Sequence, residues 1–197
     1  GTAVLLNFLF SNKVDTATWT NQAQMLAHLL AMAQLTPNVN IAGPDPFIPY
    51  YEPTFYQQGD NLEYLGVLRR LFSGDRHEQI TIELNDARHV YDVRRQAYLG
   101  FTDSITTAID PGEAGIFALL RYRVHGVKLE LPDTCAPGRV LNYTARIETD
   151  DLPAGDHVVR LEVYDSDGVL LEPYTGNFLS TEGVVNRTIK LALNDPP

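Results

Sequence analysis

Apolar residues recur along this chain in two rhythms, and the change from one to the other divides it. Residues 3–10 are apolar and partly β-branched and read as a buried strand, closed by a polar turn at Ser11 to Lys13. Trp19, Ala23, Leu26, Leu30 and Ala33 then return at three- and four-residue intervals, widened by Met25, Leu29 and Met32. That is the apolar face of a helix. Asp15, Thr16 and Thr18 offer capping oxygens at its start, and Thr36-Pro37-Asn38 predicts its end. Residues 43–53 hold Pro44, Pro46, Pro49 and Pro53 among Phe47, Tyr50 and Tyr51. That density of proline predicts an extended linker or rigid surface loop. From Thr54 onward the period is two.

Leu65, Leu68 and Leu71 would suit either period, but turn residues at Gly59-Asp60-Asn61 and Ser73-Gly74-Asp75 make 62–72 a strand. Ile80, Ile82 and Leu84 alternate with Thr81 and Glu83, a strand with one wet face. His89 to Leu120 reads as a meander: a strand, a short turn, a strand ending in Gly100, a Pro111-Gly112 turn and a buried strand at Phe117 to Leu120. Farther on, Leu141, Tyr143, Ala145 and Ile147 alternate with Asn142, Thr144, Arg146 and Glu148. Val159, Leu161 and Val163 alternate with Arg160 and Glu162, and Ile189, Leu191 and Leu193 with Thr188 and Lys190. Asp165-Ser166-Asp167-Gly168 predicts a hairpin turn.

These rhythms predict a mainly β protein: antiparallel β-sandwich units, the second immunoglobulin-like, with one N-terminal α-helix. The expected parts are a strand–helix segment at 1–36, a small antiparallel β-domain at 37–123 and an immunoglobulin-like sandwich at 124–197. A complete sandwich of that kind takes about seven strands and roughly 100 residues. The last part has fewer of both, so it is expected to be truncated or to borrow a strand.

Tyr91-Asp92-Val93-Arg94, Tyr98-Leu99-Gly100, Thr102-Asp103, Ile105, Pro111-Gly112-Glu113-Ala114 and Phe117-Ala118-Leu119-Leu120 form an ordered set. It resembles the C-terminal β-domains of multidomain glycoside hydrolases of the β-galactosidase family, whose catalytic barrel is followed by an amidotransferase-like trimerisation domain. Gly1 to Phe8 resembles the last strand of that trimerisation domain, and Leu191 to Pro197 resembles the family's tail, which is expected to run on into another strand. The resemblance covers most of the chain in order and spacing and does not touch the barrel. It implies that the acid and the nucleophile lie in the barrel, so no catalytic residue is carried over.

Composition narrows the partners. The chain has 197 residues with 44% hydrophobic and 20% charged content, enough to bury a core. A net charge of −10 argues against a nucleic-acid groove and against adhesion to anionic membrane, and is neutral towards uncharged sugars. Apolar runs such as Ile116 to Leu120 are too short to span a bilayer. The single cysteine, Cys135, excludes an internal disulfide and has neither a histidine nor a helix start beside it in sequence, so it reads as a passive thiol. Localisation is not readable from the sequence.

His28, His77, His89, His125 and His157 stand apart from one another and from Cys135, without metal-ligand spacing, and read as structural or surface residues. Asp92, Asp103, Asp110 and Glu113 could supply a pair of carboxyls for glycoside hydrolysis, but spacing along the chain does not set their separation. Asp165-x-Asp167-Gly168 echoes the start of a calcium loop; apolar residues follow it, and Glu172 alone could reach back. Asn142-Tyr143-Thr144 and Asn186-Arg187-Thr188 match the glycosylation triplet, a pattern common by chance. Tyr50, Tyr51 and Tyr56, beside Phe47 and Phe55, are the one aromatic cluster that could form a stacking platform; the alternative is that these rings glue the loop to the core. Trp19 falls on the apolar stripe of the helix and reads as a packing residue.

The expectation is a non-catalytic accessory and structural module of a larger carbohydrate-active protein, with no cofactor and no metal. Its partners would be other domains of that protein, with self-association through open sheet edges. A second class is a carbohydrate-binding module using Tyr50, Tyr51 and Tyr56. A third is a small hydrolase built on a carboxylate pair.

Overall fold

A computed structural model describes residues 16–43, 51–58, 61–71, 78–150 and 152–194, apart from the side chains of residues 16–21, 23 and 58. The strand expected at 3–10, the side chain of Trp19, and Phe47, Tyr50 and His77 lie outside the described residues. The protein is mainly β, with antiparallel sheets and one α-helix. It divides into two units, Gly1–Asn40 and Ile41–Pro197.

Helix α1 spans Thr16–Met32. It ends before Thr36-Pro37, because Gln34 takes the left-handed conformation at φ 58°. Gln34 N–H then donates to Ala31 O at 3.0 Å and Leu35 N–H to Leu30 O at 2.9 Å. This paired bonding satisfies the last carbonyls of the helix and turns the chain out of it. Leu26 and Leu30, on the predicted apolar stripe, are 40% and 47% exposed.

Six strands form one sheet: β1 (Val39–Ala42), β2 (Tyr51–Gln58), β3 (Leu62–Arg69), β4 (Gln79–Asp92), β5 (Ala97–Ala108) and β6 (Ala114–Leu120). Their order is β1-β4-β6-β3-β2, with β5 also paired to β4. β2 begins before Thr54 and contains Pro53, which an edge strand tolerates because one side of its backbone needs no partner. The segment from Ile80 and the meander from His89 are one continuous strand, β4, interrupted by a register shift between Glu83 and Arg88. Gly100 does not end a strand. It lies inside β5 at φ 113°, beside a second register shift where Val90 faces Gly100 and Tyr91 faces Tyr98. An extra residue of this kind is a β-bulge, and a glycine supplies its positive φ without a steric penalty.

The sheet has two distinct faces. On one, Leu65, Val67, Val90 and Phe117 are at most 1% exposed, and beyond the register shift Ile80, Ile82 and Ile105 are at most 2% exposed. On the other, Leu62, Ala118 and Leu120 pack with Tyr122, Ile147 and Ala154, and Tyr64, Tyr91, Val124 and Val159 close round them. This second core joins the six-stranded sheet to the strands that follow.

Those strands are β7 (Val124–Glu130), β8 (Val140–Thr149), β9 (His157–Leu161), β10 (Gly176–Ser180) and β11 (Val184–Lys190). They form a three-stranded sheet, β11-β8-β7, and a two-stranded one, β10-β9. Tyr143, Ala145 and Val185 of the first pack against Val159, Leu161 and Phe178 of the second, a sandwich with period-two burial. The smaller sheet leaves part of the larger one uncovered. Val127 and Leu129 stand opposite Ile147 and Ala145 in the ladder, hence on the same face, yet keep 53% and 46% of their surface.

Candidate functional site

The turn between β6 and β7 sets up a buried polar lock. The Tyr122 hydroxyl accepts the Gly155 N–H at 2.8 Å and lies 2.6 Å from His157 Nε2. The Tyr122 hydroxyl thus bridges a backbone N–H and the imidazole at once. Burial pushes the His157 pKa down, opposed by the nearby Asp156 carboxylate, and burial pushes the Tyr122 phenol up. Ser180, fully buried, accepts the His157 N–H and donates to the His157 carbonyl, both at 3.0 Å. Tyr91 makes the same double bridge to Val124, accepting its N–H at 2.8 Å and donating to its carbonyl at 3.4 Å. These hydroxyls replace ladder bonds where the chain passes from one sheet to the next, which keeps buried backbone groups satisfied.

Beyond Tyr91 the same face of the six-stranded sheet runs into solvent as an aromatic strip. His89 and Tyr91 share that face because they are two residues apart on β4. The bulge at Gly100 brings Tyr98 and Phe101 to it from β5, although their spacing would otherwise send them to opposite faces. His89 Nδ1 lies 2.8 Å from the Tyr98 hydroxyl. Its ring centroid is 4.9 Å from that of Phe101, and the Tyr91 and Tyr98 centroids are also 4.9 Å apart. The Arg123 guanidinium sits 5.0 Å from the Tyr98 centroid, within cation–π reach. Phe101 is 63% exposed and Tyr98 38%. The strip therefore offers apolar ring faces beside a phenol, an imidazole and a guanidinium, a combination suited to a ligand with both C–H faces and hydroxyls.

Of the tyrosines singled out in the sequence, Tyr51 and Tyr56 do not share a face. Tyr51 and Tyr56 are five residues apart on β2 and so project from opposite faces of the strand. Tyr51 is half-buried with Arg69 stacked 5.8 Å from its ring centroid, whereas Tyr56 is 65% exposed.

Of the four acidic candidates, Asp92 is buried; its carboxylate accepts the Arg95 N–H at 2.9 Å and faces the Arg95 guanidinium at 3.4 Å. Glu113 lines the same cleft, about 230 Å³, and Asp103 and Asp110 are exposed. The Asp165 carboxylate is engaged by the N–H groups of Asp167 and Val169 at 3.0 and 2.8 Å, which makes the segment a turn. His125 pairs with Asp150, His28 is exposed on α1, and Cys135 Sγ faces the Ala136 carbonyl at 3.8 Å. Among the described residues no group of three or more His, Cys, Asp or Glu side chains is placed to hold a metal ion, and no helix is long and apolar enough to cross a membrane.

A period-two pair, His89 and Tyr91, followed by Tyr98 and Phe101 around an internal glycine, was the sequence signal for the strip. It is legible only once Gly100 is read as a bulge. No family model, curated protein or solved structure matches this chain.

Proposed function

We propose that this chain is a non-catalytic β-module of a larger carbohydrate-active protein, and that it recognises neutral saccharides through the strip of His89, Tyr91, Tyr98, Phe101 and Arg123. The observation that carries the reading is the exposed ring surface of Phe101 and Tyr98, held in place by neighbours and flanked by hydrogen-bonding groups. Pyranose rings present C–H faces that pack on aromatic rings and equatorial hydroxyls that need donors and acceptors beside them; aromatic side chains contribute large contact area at low entropic cost. The net charge of −10 disfavours polyanions.

The test is migration of the chain in native gels cast with soluble β-glucan, xylan or galactan. At least one polysaccharide retards the wild type, and the retardation is lost in a Tyr98→Ala, Phe101→Ala double variant with unchanged circular dichroism. Equal mobility of wild type and variant in all three gels contradicts the proposal.

A further inference from the structure

The two Asn-x-Thr triplets, read in the sequence as chance glycosylation patterns, meet in the fold. β8 and β11 run antiparallel in a register that sets Asn142 opposite Thr188 and Thr144 opposite Asn186. Identical triplets paired head to tail give a small grid with a local pseudo-twofold, its columns about 4.8 Å apart across the strands. The grid lies on the outer face of the sandwich, since Tyr143, between Asn142 and Thr144, and Ala145 and Val185, next to Thr144 and Asn186, belong to the inner core. Glu130 stands opposite Thr144 on the neighbouring strand, and the group lines a cleft of about 540 Å³.

The hydrogen bonding inside the grid fixes what it shows to solvent. The Thr144 hydroxyl donates to Asn186 Oδ1 at 2.7 Å. Asn186 Oδ1 is thereby an acceptor, so its NH₂ group faces away with both protons available, and the Thr144 oxygen keeps its lone pairs. Glu130 pairs with Lys128 at 3.0 Å, and Arg187, which also lines the cleft, lies over the Phe178 ring at 5.4 Å. Asn142, Thr144, Asn186 and Thr188 thus present donors and acceptors that carry no charge of their own. That pattern matches vicinal hydroxyls, each of which is both donor and acceptor.

We infer that the outer face of β8 and β11 is a second saccharide site, in which Asn142, Thr144, Asn186 and Thr188 hydrogen-bond the hydroxyls of a neutral oligosaccharide. The inference rests on the saccharide reading of the aromatic strip but uses a different sheet and different chemistry, hydrogen bonding without ring stacking. It also explains the repeated triplet as a consequence of building one polar grid from two strands.

The test is nitrogen-15 NMR of the full chain titrated separately with cellohexaose, xylohexaose and a β-1,4-linked galactotetraose. With at least one of them, the side-chain amide signals of Asn142 and Asn186 shift on saturation. The apparent Kd for those shifts rises about tenfold in Thr144→Val, which removes the hydroxyl that orients Asn186. Asn186→Ala gives the same loss should Thr144→Val disturb the sheet, and Phe101→Ala leaves the shifts in place. Shifts confined to the residues around Tyr98 and Phe101 overturn the second site while leaving the strip intact. An absence of shifts with all three sugars overturns both. A glycan found covalently attached to Asn142 or Asn186 after secretion from a eukaryotic host likewise overturns it, because the grid would then be occupied by modification.

Discussion

Two tyrosine–histidine pairs in this protein have nearly the same bond and opposite surroundings. Tyr122 and His157 sit 2.6 Å apart, with Tyr122 buried in the core that joins the two sheet systems. Tyr98 and His89 sit 2.8 Å apart on an open sheet face, next to a phenylalanine that keeps most of its surface. In the buried pair the Tyr122 hydroxyl is committed to His157 Nε2 and the Gly155 N–H, and the Tyr122 ring belongs to packing. In the exposed pair the hydrogen bond positions rings whose faces remain available. Burial, more than residue identity, separates a lock from an open surface: the desolvation cost of leaving a partner unmade is high in the first place and small in the second.

The lock should therefore yield to mutation in ways the strip does not. The largest effect is expected at Gly183, which turns β10 into β11 at φ 74° and whose carbonyl accepts the Ile147 N–H at 2.8 Å. A Cβ there would lie 2.5 Å from the Ala154 Cβ, a member of the joining core. Gly183→Ala should lower unfolding free energy by about 2–3 kcal/mol in urea titration, from overpacking plus a strained φ.

Next comes Tyr122→Phe, which keeps the ring and removes the hydroxyl, leaving the Gly155 N–H and His157 Nε2 without it. About 1–3 kcal/mol should be lost. The matching change on the strip, Tyr98→Phe, should move stability by no more than about 0.5 kcal/mol. Equal losses from the two substitutions would erase the distinction between the pairs.

A smaller effect should appear with pH. Burial lowers the His157 pKa, so the folded state binds this proton less readily than the unfolded chain, whose value is near 6.5. Stability contributed by the neutral imidazole is then complete above about 6.5 and declines as pH falls from there towards the lower folded value. Asp156 opposes the shift and limits it. The urea midpoint should be lower at pH 5.0 than at pH 7.5, and His157→Asn should narrow that difference. An unchanged difference in the variant would assign the pH dependence to other groups.

The alternation of apolar residues was enough to read the class of fold, the helix at α1 and most strands, because burial on one face imposes a period directly on the sequence. Features set by backbone conformation were less visible. Gln34 takes a left-handed conformation that its residue type does not announce, so the helix ends ahead of Thr36-Pro37. Gly100 has the composition of a strand end and the role of a bulge, and that one difference concealed the strip, since it changes which of Tyr98 and Phe101 face His89. Tyr51 and Tyr56 were conspicuous by density, but density along a strand is divided between two faces. The Asn–Thr grid depended on the register between β8 and β11, a long-range pairing with no local signature.

Isothermal titration of the chain with the oligosaccharide corresponding to the most retarding polysaccharide, beside Phe101→Ala and Tyr122→Phe, tests the central claim most directly. The account predicts that Phe101→Ala weakens binding about tenfold at unchanged thermal midpoint, while Tyr122→Phe lowers the midpoint and, at a temperature where it is still folded, binds as tightly as the wild type. Undiminished binding by Phe101→Ala would contradict it.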